Sequence, residues 1–310
     1  MYNTMDRFRL TNTNILVADT MPASSEATKN ALYDLGGRNF TITKSVSETR
    51  EQLDKDNFDV LISGAYLMDE GTASIVTDLR QGKLGQDPFI PVIALTWEPT
   101  IEIVQELVSA GIDQMLTLPV SGNKIAQALD TLVERRKPFV VTSQYIGPDR
   151  RKDPRPEQQQ IPRIEVPNAL RFKVTGMDDG ISRKDVLQTI RNQRAERYAY
   201  RIVYTIGIIT GLVSDKNNGT METWLTDLHD TLAELTRHIA DTLYRHHQAL
   251  CETLLDVARR NLGCDSPGGS DLELMQQLAL SVQVGFSPQD TAMVDVAPTT
   301  SSEMPVCATA

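Results

Sequence analysis

Cysteine is scarce in this chain, and the little there is forms no pattern. Cys251, Cys264 and Cys307 are the only three in 310 residues. None belongs to a Cys-x-x-Cys pair, and no His/Cys cluster has zinc-site spacing. This excludes a disulfide framework and a structural zinc, and it fits reduced thiols in the cytoplasm. Long hydrophobic runs are missing too. The longest apolar-leaning run, Ile202 to Val213, is too short to cross a bilayer. Met1 to Thr13 mixes Asp6, Arg7 and Arg9 with polar residues and has no apolar centre, so it does not read as a secretory leader. Positive charge is not in excess: the net charge is −10 and the pI about 5.0, which disfavours general binding to a phosphate backbone. No Gly-rich nucleotide-binding region and no helix-turn-helix unit is recognisable. What is present, 40% hydrophobic and 23% charged, is an ordinary globular composition with length for two domains.

From Asn14 to about Arg136, short apolar runs alternate with amphipathic segments. The strand-like runs are Ile15–Ala18, Phe40–Thr43, Val60–Ser63, Pro91–Thr96 and Met115–Leu118. Between and after them, helical spacing covers Ala23–Leu35 (closed by Gly36-Gly37), Ser47–Leu53, Ile75 with Leu79, Ile103–Val108 (closed by Gly111) and Ile125–Leu132. Strict βα alternation predicts a parallel sheet with helices on both faces, here a flavodoxin-like doubly wound α/β fold of five strands. Such folds carry their sites at the carboxyl ends of the strands, which singles out Asp19-Thr20, Ser63-Gly64, Thr96-Trp97 and Leu118-Pro119.

Six prolines between Pro138 and Pro167, with Arg150-Arg151-Lys152 and Gln158-Gln159-Gln160 among them, predict an extended linker. Helical spacing then runs from Ser182 to Val213, with Asp185 three residues after a capping Ser182. Asn217-Asn218-Gly219 is a turn signal. A second long helix is expected from Met221 to Leu262, its stripe starting Leu225, Leu228, Leu232, Leu235, Ile239 and drifting to Leu243, Leu250, Leu254 and Val257. Together these predict an all-α helical hairpin or bundle, with a shorter helix over Asp271–Val284. The stripe is longer than one partner helix covers, which suggests a homodimer through the long helices. The domain expectation is therefore 14–137 for the α/β domain, 138–167 for the linker, 168–285 for the helical domain and 286–310 for a disordered tail.

Ile15-Leu16-Val17-Ala18-Asp19, Asp59-Val60-Leu61-Ile62-Ser63-Gly64, Pro91-Val92-Ile93-Ala94-Leu95-Thr96 and Leu118-Pro119-Val120, in this order and spacing, resemble the successive strand ends of bacterial response-regulator receiver domains. Tyr145-Ile146-Gly147-Pro148-Asp149-Arg150-Arg151 resembles an extension that follows some of them. The resemblance implies what such a site needs. An aspartate at the end of the third strand attacks a phosphoryl group, and acidic residues after the first strand hold Mg²⁺. A Thr or Ser after the fourth strand and a Lys after the fifth contact the phosphoryl oxygens. This chain departs from that set. The nucleophile position falls on Gly64, or on Ser63 if shifted by one. Thr20 follows Asp19 where a second acid is usual. Leu118 stands where the Lys belongs. The loop Ala65–Gly71 is short and lacks the usual Pro, while Thr96 is retained. The pattern implies a pseudo-receiver, not an enzyme and with no cofactor or metal, that signals by protein–protein contact in a two-component or phosphorelay context. Trp97 is a candidate contact.

Other candidates carry alternative readings. Asp69 and Glu70 lie near enough in sequence to act as displaced acceptors. His229, His238, His246 and His247 on the helical part would suit a phosphotransfer protein, although no Lys-Gly signature follows any of them. Arg183, Lys184, Arg191, Arg194, Arg197 and Arg201 make the first long helix basic. That suits a DNA-binding regulator, or a solvated face paired with Glu222, Asp227, Asp230 and Glu234. The preferred reading has unidentified signalling proteins as partners, no membrane contact and no nucleic acid.

Overall fold

The computed structural model of the chain describes residues 10–151, 161–214, 220–264 and 266–287. Five parallel strands, β1 (Asn14–Ala18), β2 (Asn39–Thr43), β3 (Val60–Gly64), β4 (Val92–Thr96) and β5 (Gln114–Thr117), lie in the order β2-β1-β3-β4-β5. Between and after them run α1 (Pro22–Asp34), α2 (Val46–Lys55), α3 (Thr72–Arg80), α4 (Ile101–Ala110) and α5 (Gly122–Glu134). This is the flavodoxin-like doubly wound topology. It follows from strands apolar on both faces: β3 and β4 are buried at every position. One core lies on the α2–α4 side, with Leu16, Leu61, Ala94 and Ile75. The other lies on the α1–α5 side, with Val17, Ile62, Leu95 and Leu129. The helix ends obey local chemistry. Ser45 accepts from the Glu48 amide at the start of α2, and Gly111 closes α4 at φ 100°, a left-handed conformation that glycine adopts without steric cost.

The segment expected to be a linker departs from that expectation wherever it is described. β6 (Phe139–Val141) and β7 (Ile146–Pro148) form an antiparallel hairpin, and Ile164 bridges to Phe139. Phe139, Val141, Ile146, Ile164 and Val166 are buried with Phe89. Proline tolerates this because the ladder is two-stranded and Pro148 ends it. The hairpin sits close: a Cβ on Gly147 would come 2.9 Å from the Gly111 Cα. Residues 152–160, which include Lys152, Pro154, Pro156 and the three glutamines, lie outside the described residues.

The boundary expected at 168 is also corrected. The chain packs as two units, one up to Ile190 and one from Arg191. Helix α6 (Ala169–Thr175) belongs to the first, because Leu170 is buried in the α1–α5 core and the Asn168 side-chain amide donates to the Leu132 carbonyl at 2.7 Å. Helix α7 (Arg183–Ser214) crosses the boundary. Its first turns place Val186 and Ile190 in the Phe139 cluster, and the Ser182 Oγ accepts from the Asp185 amide as the sequence suggests.

In the second unit the single helix expected over Met221–Leu262 is broken. α8 (Met221–His238) ends in two 3₁₀ turns, and α9 (Gln248–Arg260) follows, then α10 (Gly269–Gly285). The break occurs where Thr242 turns extended (φ −115°, ψ 169°) and its hydroxyl donates to the Ile239 carbonyl. Folding back lets Leu225, Leu228, Leu232, Leu235 and Ile239 share one core with Leu254 and Val257. The stripe that suggested a homodimer is therefore spent largely inside its own unit. Asn217-Asn218-Gly219 lies outside the described residues, as does the expected disordered tail from 288 onward. Phe286, assigned to that tail, is buried and stacks on Tyr244 at 4.8 Å.

Candidate functional site

Parallel strands that end together leave a cleft at their carboxyl ends, and the candidate residues gather there. Asp19 follows β1 and is buried. Its Oδ1 accepts from the Met21 amide at 2.9 Å at the start of α1. Its Oδ2 is buried without a hydrogen-bond partner among the described residues. Thr20, beside it, is half-buried.

Gly64 ends β3. Strand alternation puts it on the face of Val60 and Ile62, which belong to the α1–α5 core. A Cβ built there would lie 3.9 Å from Asp19 Oδ1 and 3.3 Å from the Tyr66 carbonyl oxygen. Ser63 points the other way. Its hydroxyl lies 2.8 Å from Thr72 Oγ1 and donates to the Gly64 carbonyl at 3.1 Å. The position facing the Asp19 carboxylate is thus Gly64, not Ser63, and no side chain occupies it.

Thr96 ends β4, buried, with its hydroxyl donating to the Glu98 carbonyl at 3.2 Å. Trp97 is 51% exposed. The Leu118 amide donates to the Thr96 carbonyl at 2.8 Å, and the Leu118 side chain packs on the α1–α5 core. The Leu118–Pro119 peptide is cis, and Pro119 is exposed. An apolar side chain therefore stands at the carboxyl end of β5, at the position where the resemblance leads one to expect a Lys.

The displaced acids are otherwise placed. Asp69 Oδ1 accepts from the Val46 amide at 2.6 Å and Oδ2 from the Ser47 amide at 3.3 Å, so the carboxylate caps α2. These donors, Val46 first, hold it below the usual carboxylate range. Glu70 is exposed, and its carbonyl accepts from the Leu67 amide, closing the short loop. Among the described residues no group of three or more His, Cys, Asp or Glu side chains is placed to hold a metal.

The histidines do not converge on one site. His229 Nδ1 lies 3.1 Å from Asp230, and His238 Nε2 lies 3.4 Å from Glu234. His246 and His247 pack ring to ring at 3.9 Å. Burial, and after it the Arg194 charge, lowers the His238 pKa below the ordinary 6.5. Of the basic helix, Arg201 pairs with Asp227, Arg183 with Asp87, and Arg194 donates to the Tyr198 hydroxyl.

Two features escaped the sequence reading. Tyr66 and Met68 are exposed on the loop after β3, and Ile101 is exposed at the start of α4, after the loop that carries Trp97; a Tyr and a Met in an otherwise polar loop were the available signal. The other is a buried charge cluster at the amino end of the sheet. Asp113 accepts from Arg80 Nη2 at 2.8 Å, Arg136 Nε at 2.8 Å and the Val92 amide at 2.9 Å. The Phe139 ring lies 5.2 and 5.3 Å from the two guanidinium carbons. Burial pushes the Arg80 pKa down to about 10 against the opposing pull of Asp113. Asp113 between the apolar Ile112 and Met115-Leu116 was the clue.

No protein-family model matches the chain, and no curated protein matches it. Solved receiver domains are similar to part of the chain. The receiver domain of a sensor histidine kinase from Pseudomonas aeruginosa PAO1 is 18% identical over 37% of this chain and 92% of its own, with a TM-score of 0.34. The signal receiver domain of an HD domain-containing protein from Pseudomonas fluorescens Pf-5 is 20% identical over 38% and 92%, with a TM-score of 0.35. The chemotaxis protein CheY4 of Vibrio cholerae is 23% identical over 38% and 96%, with a TM-score of 0.35.

Proposed function

We propose that this chain is an atypical response regulator whose receiver-like unit accepts no phosphoryl group and catalyses no reaction, acting instead by protein–protein contact in a two-component or phosphorelay context. The observation that carries this reading is Gly64: the strand-end position facing Asp19 has no side chain to attack phosphorus. The rest of the cleft supports it. Phosphoryl transfer depends on positioned charge, and Leu118 supplies none. One buried carboxylate is a thin support for Mg²⁺. Asp69 is engaged in capping α2. The exposed Tyr66, Met68, Trp97 and Ile101 offer apolar area for a partner, as aromatic residues commonly do. The ion pairs of Arg183 and Arg201 and the net charge of −10 favour a solvated basic helix over a DNA-reading one. No helix among the described residues is long and apolar enough to cross a membrane.

The test is intact-mass measurement after incubating the full chain with Mg²⁺ and a small phosphodonor. No added phosphoryl mass is expected. A stoichiometric adduct would sink the reading, and mapping it to Asp69, Glu70 or a histidine would name the acceptor.

A further inference from the structure

Helix α7 carries an outer face that its own unit does not use. Over the second unit it buries Ala195, Tyr198, Ile202, Ile206 and Ile209 in the bundle core. At 100° per residue, Tyr200, Tyr204, Gly207 and Gly211 line up on the opposite side. Tyr200 is 61% and Tyr204 57% exposed. A Cβ on Gly207 or Gly211 would meet nothing within 4 Å among the described residues. The outer face of a surface helix is normally charged, yet no charged residue occurs between Arg201 and Asp215. Each glycine costs a helix interior about 1 kcal/mol relative to alanine. No contact within the described unit accounts for either one.

We propose that this face is a self-association surface, and that its occupant is the same face of a second copy, packed antiparallel. In an antiparallel pair related by a two-fold axis, residues whose numbers have a constant sum lie opposite each other. An axis at the height of the Thr205–Ile206 peptide sets Tyr204 against the partner's Gly207 and Tyr200 against the partner's Gly211. Both bulky residues meet both gaps in one register, and the interface is complementary to itself. Glycines let the helix backbones approach while the tyrosine rings fill the space beyond, as small residues do between closely packed helices. Charge selects the same arrangement. Arg191, Arg194, Arg197 and Arg201 all lie towards the amino end of this stretch. A parallel pair stacks them against each other, whereas an antiparallel pair sets Arg201 at the height of Thr210 and Arg197 at that of Ser214. The uncharged face offers nothing for a charged partner to pair with. The stretch from Tyr200 to Ser214 is about 22 Å long. One helix pair of that length falls short of the roughly 1,600 Å² of a standard interface. Leu280 and Val284 are exposed on α10, which bonds α7 through Gln276 and Thr210, and add apolar area. The association is therefore reversible and concentration-dependent.

Sedimentation velocity on the full chain across a concentration series tests this. Wild type is expected to pass from monomer to dimer. The double variant Gly207→Gln/Gly211→Gln is expected to weaken the dimer by more than about tenfold, with helicity and thermal stability no lower than wild type, since Gln is the better helix former. The register is read by oxidation in a Cys264→Ser/Cys307→Ser background. Chains carrying Tyr200→Cys are expected to cross-link only when mixed with chains carrying Gly211→Cys, because the two Tyr200 positions of an antiparallel pair stand about 16 Å apart along the helix. A wild-type chain that stays monomeric up to its solubility limit overturns the proposal. So does a dimer that the glycine variant leaves intact, or Tyr200→Cys chains that cross-link to themselves.

Discussion

The Asp113 carboxylate accepts four hydrogen bonds, and the side chains of its two arginine partners are, like its own, almost wholly shielded from water. Removing one member of such a group leaves the others charged and unpaired, which costs about 3–5 kcal/mol, whereas an exposed pair contributes little. Asp113→Ala is therefore expected to lower unfolding stability by that amount in urea titration. Arg259→Ala, which breaks the exposed Arg259–Asp256 pair, is expected to change it by less than about 1 kcal/mol. His238 makes a pH prediction. It faces Glu234 and Arg237 on its own helix and Arg194 on α7, and burial leads in depressing its pKa. The unfolded chain then binds the proton at a higher pH than the folded one. Stability from this group is present above pH 6.5 and is lost as the pH falls from there through the folded value. Urea midpoints between about pH 7.5 and 5.5 should fall more for wild type than for His238→Gln. Equal slopes would remove His238 from the account.

At the level of elements, the sequence shows most where periodicity is strong. All five strands and five helices of the α/β part are legible, because apolar runs such as Val60–Ser63 and stripes such as Ile125–Leu132 have one reading. The strand-end positions are legible for the same reason, since a strand's last residue fixes which side chains meet at the cleft. What cannot be read is tertiary choice. The stripe from Leu225 to Val257 has the spacing of one long helix, and only the shared core explains why it folds back at Thr242. The hairpin of β6 and β7 is three residues per strand, too short for alternation to register. The surrounding prolines pull the reading towards a linker, while Phe139 is buried and lies against two guanidinium groups. The face that Ser63 presents is likewise set by sheet register, which spacing alone leaves open by one residue.

For the whole molecule, the corrected boundary has a measurable consequence. The three buried clusters of the first unit draw on residues up to Ile190. A fragment ending at Ile190 is expected to show a cooperative urea transition. A fragment ending at Lys137, where the α/β pattern stops, strips Phe89 of Phe139 and removes Leu170 from the α1–α5 core. It is expected to unfold at lower urea and to bind a hydrophobic dye. Equal midpoints for the two fragments would show that the hairpin and α6 add nothing to that unit.

Gly64 also bears on time. An aspartyl phosphate is a hydrolysable mark, so a receiver that carries one has a built-in clock and forgets its stimulus at the rate of hydrolysis. On the reading proposed above, this chain holds no such mark and keeps no such clock. Its output lasts as long as the polypeptide and its partner do, and is set by how much of each the cell makes and destroys. A reversible dimer would make that dependence on abundance steeper than linear, turning synthesis and degradation into the switch that phosphorylation provides elsewhere.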